Sequence, residues 1–276
     1  MINKLVLVTL PIGNEEDITY KAKRILESSE IIYAEDTRVF KELCKKISID
    51  YSAKQIRSFH DHSSEKQIES IIQEAKERGC VFVSDAGSPV ISDPAFPLIQ
   101  MAISEGLELE TAGGISSVIV ALELSGLPPI PFHFHGFLAR DKGKRDQAIE
   151  DMASQYGTHI FFEGKSRVIS TLEALSKLYP ENQIALGREL TKKFESVYRF
   201  KGNEFKQIKD SIEVLGEFVI VFYQDQKRVA LDNELIKLAS EIIDKGAKPK
   251  KLAKILATIS GRPVKEVYEK LSITRQ

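Results

Sequence analysis

Four short polar clusters hold most of the side chains in the first half of the chain that could do chemistry. They are Pro11-Ile12-Gly13-Asn14, Glu35-Asp36-Thr37-Arg38, His60-Asp61-His62 and Ser84-Asp85-Ala86-Gly87-Ser88-Pro89. Carboxylates and imidazoles placed beside a substrate hydroxyl can take its proton. Ala86 and Gly87 carry almost no side chain, so a ligand can approach the backbone there. A fifth cluster, Gly113-Gly114-Ile115-Ser116-Ser117, stands where a helix should begin. Free N–H groups at such a turn can hold a carboxylate or another anion. The competing reading of this turn is a flexible hinge with a serine cap.

The elements that must position these clusters follow from hydrophobic patterning. Leu5–Leu10 (LVLVTL), Ile31–Ala34 and Val81–Val83 are short apolar runs, as expected for strands buried in a parallel sheet, and Ile56–Phe59 is a further expected strand. Each is followed by one of the four polar clusters. Between them lie predicted helices: Asp17 (cap) to Ser29, Thr37 to Ile47, and one running to Arg78. Ser64 and Gln67 read as a capping box for the last, and Gly79 ends it. Asp93 and Pro94 should cap and open a helix to Glu105, and Leu107–Glu110 is a further strand. Strand–helix alternation calls for a parallel sheet with right-handed crossovers. Its polar clusters then gather at the carboxyl edge, where such sheets bind ligands.

After Gly114 the pattern changes. A helix from Ser116 to about Ser125 precedes strands expected at Phe132–Phe137, His159–Glu163, Gln183–Leu186, Ser196–Phe200 and Glu217–Tyr223. Helices are expected at Arg145–Gln155, Ser166–Leu178 and Glu204–Glu213. Several connections are short, so part of this second sheet should be antiparallel. From Leu231 the chain reads as three helices, Leu231–Ile243, Pro249–Ile259 and Pro263–Leu271, with turns at Gly246 and Ser260-Gly261-Arg262. This resembles a helix-turn-helix, but three helices of this size more often serve as a packing or dimerisation appendage. The resulting division is an N-terminal α/β domain over 1–112, a second α/β domain over 113–225, and a helical appendage over 226–276.

Composition narrows the class. The chain has 276 residues, 42% hydrophobic and 29% charged, with a formal net charge of −1. That is an ordinary globular composition with ample core. The charge is uneven: Gln226–Gln276 carries 12 Lys+Arg against 6 Asp+Glu, and the remainder 27 against 34. A basic end on an acidic body fits an anionic partner, or a solvated helical face. The only cysteines are Cys44 and Cys80, which suggests reduced thiols in a cytoplasmic protein. No apolar run reaches the roughly 20 residues that span a bilayer, and Met1–Lys4 leads straight into a strand, as expected without a signal peptide. There is no G-x-x-x-x-G-K-[ST] and no G-x-G-x-x-G after a strand, which speaks against the usual nucleotide loops. His60/His62 and His133/His135 are spaced i, i+2, but no further ligands stand at metal spacing, so no metal site is expected.

Taken together, Thr9-Leu10-Pro11-Ile12-Gly13-Asn14, Ala34-Glu35-Asp36-Thr37-Arg38 and Val83-Ser84-Asp85-Ala86-Gly87-Ser88-Pro89 resemble the ribosomal RNA small subunit methyltransferase I family. That family lies within the tetrapyrrole methylase superfamily. The resemblance runs on through Gly136-Phe137-Leu138, Arg188–Lys192 and Gly216-Glu217-Phe218. It departs at Ala112–Ser116, where the family has Pro-Gly-Pro-Ser, at Phe162–Arg167, where it has Tyr-Glu-Ser-Pro-His-Arg, and at Ala95, where it has Gly. The resemblance implies two α/β domains closing on S-adenosylmethionine, a homodimer, and 2′-O-methylation of a decoding-centre cytidine in 16S rRNA, within the small ribosomal subunit. The cofactor positions it implies are Pro11, Asp85, Ala86, Gly87, Pro89, Ser116, Ser117 and Phe162. Glu35, Asp36, His60 and Glu189 are candidates for the base. Arg38, Arg140, Arg145, Arg167, Arg188 and Lys192 are candidates for RNA phosphate contacts. Two alternatives remain at this level: methylation of a tetrapyrrole, and a non-catalytic binding protein of the same fold.

Overall fold

The computed structural model describes residues 4–60, 63–93, 95–225, 233–260 and 263–273. The first half alternates strand and helix: β1 (Lys4–Val8), α1 (Tyr20–Ser28), β2 (Ile31–Ala34), α2 (Thr37–Lys46), β3 (Gln55–Ser58), α3 (Glu65–Arg78), β4 (Cys80–Val83), α4 (Ala95–Ser104) and β5 (Glu108–Ala112). The five strands form one parallel sheet in the order β3-β2-β4-β1-β5. Side chains alternate across it. Val6, Val8, Ile32, Ala34, Val81 and Val83 pack under Ala22, Leu26, Phe40 and Cys44 of α1 and α2. Leu5, Ile31, Tyr33, Cys80 and Phe82 pack under α3 and α4. This two-sided burial is why β1, β2 and β4 read as continuous apolar runs, whereas the edge strands β3 and β5 do not.

The second half holds α5 (Ser117–Ser125), β6 (Phe132–Phe137), α6 (Lys142–Asp151), β7 (Gly157–Gly164), α7 (Val168–Leu178), β8 (Gln183–Arg188), β9 (Ser196–Lys201), α8 (Phe205–Ile208) and β10 (Glu217–Gln224). Its mixed sheet runs β6-β7-β10-β8-β9, with β6 and β7 parallel and the other pairs antiparallel. One face is covered by α6, α7 and α8, and the other by Val118, Ala121 and Leu122 of α5. Three helices follow: α9 (Asn233–Asp244), α10 (Pro249–Ser260) and α11 (Val264–Ile273). Their buried residues, from Ile236 to Leu271, form a cluster that includes no residue of either sheet. No helix among the described residues is long and apolar enough to cross a membrane.

Local expectations failed in three places. Asp17 does not cap α1. It sits in a 3-10 turn, and Thr19 takes the cap, its hydroxyl accepting from the Ala22 N–H at 3.2 Å. Only half of the Ser64–Gln67 box forms: Ser64 accepts from the Gln67 N–H, but the Gln67 amide donates to the Ser58 carbonyl, 2.9 Å away across the sheet edge. Over 204–213 the expected single helix is the four-residue α8 between two 3-10 turns. Pro94 and His62 lie outside the described residues, so the proline start of α4 and the first histidine pair are not placed. Both cysteines are free and buried, and burial pushes the Cys44 thiol to about 11 and that of Cys80 to about 12.

Candidate active site

The polar clusters after β1, β2 and β4 do converge, because those strands are neighbours in the sheet. Leu10 and Gly87 exchange backbone hydrogen bonds of 3.0 Å in both directions, which ties the β1 loop to the β4 loop. Gly87 has φ +70°, a conformation glycine adopts at no steric cost. The β2 and β4 loops are locked through their acids. The Asp36 N–H donates to Asp85 Oδ1 at 2.9 Å, and the Asp85 N–H donates to Glu35 Oε2 at 3.3 Å. Asp36 in turn accepts from the Arg38 N–H, Nε and Nη2. The Arg38 guanidinium holds the Asp36 carboxyl far below the usual carboxylate range.

Two cavities open along this edge. The first, of about 400 Å³, lies between the sheets. The β4 loop (Ala86, Gly87, Ser88), Ser116 and Ser117 at the start of α5, and Phe162 of β7 all reach it. Ile12, Phe137, Leu190 and Gly216–Val219 complete the wall. Phe162 packs edge-on against Phe134 and Phe137, with ring centroids 5.0 and 5.3 Å apart. Among the described residues no lysine or arginine lines this cavity, whereas Asp93, Glu163 and Glu217 do. Ser116 makes no side-chain capping bond, so the first amides of α5 are left to the cavity. The Gly113-Gly114 turn packs closely: a Cβ at Gly114 would stand 3.1 Å from Thr9 Cγ2.

The second cavity, of about 530 Å³, is more open. Pro11, Gly13, Glu15, Asp36 and Asp85 border it, together with Arg38, Val39, Glu42, Leu43 and Lys46 of α2. Ile12 and Ala86 line both cavities, so the two share a wall.

Of the eight positions expected to hold a cofactor, Ala86, Gly87, Ser116, Ser117 and Phe162 line the first cavity. Pro11 and Asp85 line the second, and Pro89 lines neither. Of the four base candidates only Asp36 lines a cavity. His60 lies two residues beyond β3, its N–H donating to the Ser63 hydroxyl. Glu189 follows β8, where its carboxylate accepts from the Glu217 N–H at 2.9 Å and from Lys192 Nζ at 3.0 Å. Burial raises the Glu189 pKa, but the Glu217 N–H and Lys192 outweigh it and hold the group ionised.

The basic candidates also separate. Arg38 and Lys46 face the second cavity. Arg140 is exposed at the surface before α6. Arg145 is buried, its side chain only 5% exposed. Arg167 is paired at 2.6 Å with Glu163, which is fully buried and also accepts from the Thr171 hydroxyl. Arg188 donates to the carbonyls of Leu215 and Phe194. Lys192 bridges Glu189 and Glu217. Sequence reasoning missed Ile12 as a shared wall, Leu190, and the Gly216–Val219 strand entry as cavity lining. Their signal was present, since each adjoins a polar loop at a strand end.

A doubly layered pair of α/β sheets with a ligand cleft between them defines the class. The chain belongs to the tetrapyrrole (corrin/porphyrin) methylases, whose family model matches residues 4–206. Within that family its relatives carry the name ribosomal RNA small subunit methyltransferase I. The relative from Halalkalibacterium halodurans is 34% identical over 96% of this chain and 93% of its own, and that from Bacillus subtilis 33% over 96% and 92%. The Thermotoga maritima relative is 35% identical over 221 residues, which are 80% of this chain and 98% of that protein. Among solved structures, the fold matches diphthine synthase (TM-score 0.63, 14% identity, 96% of this chain and 98% of that one). It also matches uroporphyrin-III C-methyltransferase from Thermus thermophilus with bound S-adenosyl homocysteine (TM-score 0.55, 18% identity, 80% and 97%).

Proposed function

We propose that this protein methylates ribosomal RNA of the small subunit, with S-adenosylmethionine as donor, at the ribose 2′-hydroxyl of a decoding-centre cytidine. The observation that carries the reading is the pair of adjoining cavities, which share Ile12 and Ala86 at the edge where the β1 and β4 loops meet the second sheet. The first has aromatic and aliphatic walls for an adenine and α5 amides for a carboxylate. The second presents Arg38 and Lys46, which suit the phosphates flanking a target nucleotide. The relatives named as rRNA methyltransferases favour RNA over a tetrapyrrole, and the tight fit of Gly114 on Thr9 supports an intact cofactor loop.

S-adenosylmethionine supplies an electrophilic methyl group on a sulfonium. The chain's task is to seat a ribose hydroxyl against it, exclude water and receive the proton. Positioning of this kind is worth several kcal/mol of barrier. Asp85 is the best-placed acceptor: it lines the second cavity beside Ala86, which lines both, and its Oδ1 is fixed by the Asp36 N–H. Glu35 acts as its support, through the Asp85 N–H. Asp36 is too firmly ionised by Arg38 to be an effective base near neutral pH. We divide the chain functionally at residues 112/113 and 225/226, since α5 packs on the second sheet and α9–α11 form their own cluster.

The test is incubation with labelled S-adenosylmethionine and small subunits from cells lacking this methylation, with the product mapped by ribose-methylation-sensitive primer extension. Label at a single decoding-centre cytidine is expected. Cofactor binding without label in subunits or free rRNA would overturn the reading.

A further inference from the structure

The helical unit α9–α11 takes no part in either cavity, yet it has an organised surface. α10 buries Ala253, Leu256, Ala257 and Ser260. Beside this buried face Lys250, Lys254 and Lys251 fall within about a third of a turn at 3.6 residues per turn, and all three are exposed. Lys245 and Lys248, in the turn before α10, are exposed beside them, and from Lys245 to Ser260 there are five lysines and no carboxylate. Among the described residues, no ion pair holds any of the five. In the body Lys4, Lys21, Lys45, Lys76, Lys192 and Lys209 each meet a carboxylate, whereas the α10 lysines stand together with none among the described residues. Uncompensated lysines on a short, acid-free helix concentrate positive potential in one place.

The unit is also separable from the body. Its core contains no residue of either sheet. The 221 residues that match 98% of the Thermotoga maritima relative are a length that the two sheets and their helices, residues 4–225, account for by themselves.

We propose that α10 and the turn before it are an accessory RNA-docking surface, on which Lys245, Lys248, Lys250, Lys251 and Lys254 contact phosphates away from the target nucleotide. The surface grips the backbone without reading bases, and adds affinity by tethering the substrate while the cavities select the nucleotide. This rests on the reading that RNA is the substrate.

The test uses the full chain carrying Lys250→Gln, Lys251→Gln and Lys254→Gln together. These side chains are exposed, and none belongs to the cavities. Affinity for small-subunit rRNA is measured against salt concentration, alongside KM and kcat for methyl transfer and the affinity for S-adenosylmethionine. Loss of three phosphate contacts should lower the slope of log K against log salt by about 2 and weaken RNA binding by roughly 10- to 100-fold near physiological salt. KM for RNA should rise by a similar factor, with kcat and cofactor affinity unchanged. An unchanged salt slope and KM would overturn the inference. So would an effect confined to Ile255→Ser/Ile259→Ser, on the adjacent exposed apolar row, because that pattern points to a protein partner. If wild-type protein methylates no rRNA, the functional reading fails instead, and the salt slope still reports on RNA contact separately.

Discussion

Gly13→Ala probes the contact that joins the two sheets over the cofactor cavity. The β1 loop and the segment after β8 meet there, with the Asn14 N–H on the Thr191 hydroxyl at 3.3 Å. A Cβ at Gly13 would overlap Lys192 Cγ, stand 3.0 Å from Thr191 Oγ1 and lie 3.2 Å from the Leu190 carbonyl oxygen. Gly13 is not among the positive-φ residues, so alanine is acceptable to the backbone and the effect is steric. The opposing segment has little freedom to retreat. Glu189 and Thr191 already sit at φ 50° and 62°, and Lys192 is held between Glu189 and Glu217. Overpacking of this kind costs about 1–3 kcal/mol. Ile12 and Leu190, on the two sides of the contact, both line the first cavity, so the cost falls on the closed, ligand-ready arrangement. At 1.4 kcal/mol per factor of ten, affinity for S-adenosylmethionine should fall by about 5- to 150-fold. Titration calorimetry reads this directly. Lys192→Ala removes the overlapping Cγ, and in that background Gly13→Ala should cost about 1 kcal/mol less. Full cofactor affinity in Gly13→Ala, or an equal penalty in both backgrounds, would refute the steric argument.

Asp85→Asn should lower kcat by about 10²- to 10⁴-fold with cofactor affinity kept within a few fold, as expected for loss of a general base; a change in cofactor affinity alone would reassign Asp85 to binding. The buried His159 stacks between His135 and Phe222, and burial, with the nearby His135 and His133 rings, lowers its pKa to about 4 despite the Gln155 carbonyl. Because the folded value lies below the ordinary 6.5, the unfolded chain takes up a proton that the fold excludes. The stability is therefore complete above pH 6.5 and declines toward pH 4, by on the order of 3 kcal/mol. Urea unfolding across that range should show the decline, and His159→Phe should flatten it without abolishing it, since burial lowers His135 as well. Arg145→Met should leave RNA affinity in filter binding unchanged, because the side chain is buried, whereas Arg38→Gln, at the mouth of the second cavity, should weaken it several-fold.

The sheets were legible because their signal is local. β2 and β6 match the patterned runs residue for residue, and the β1, β2 and β4 loops were placed at one edge by the parallel-sheet rule alone. Errors came where a side chain had two possible partners. Gln67 chose a carbonyl on a neighbouring strand over the cap of its own helix, and the cap of α1 passed from Asp17 to Thr19 once a 3-10 turn intervened. The basic residues were the least legible. Arg145, Arg167, Arg188 and Lys192 look alike in sequence to Arg38 and to the α10 lysines. Only in the fold do groups distant in the chain engage Arg188 and Lys192, while Glu163, four residues back, pairs with Arg167 and packing buries Arg145.

The sequence by itself determined the two α/β halves, the helical appendage, the loops at Ala86–Gly87 and Ser116–Ser117 that line the first cavity, and the family. Each of these depends on residues close together in the chain, through periodicity, turn chemistry or a contiguous motif. The tertiary structure decided that the ligand edge holds two cavities, that Ile12 and Ala86 divide them, and that Asp85 faces the second. It also decided which cations remain available to an anion. Those properties depend on which strands become neighbours and how the second sheet closes over the first, and they arise from contacts between residues as far apart as Gly13 and Lys192.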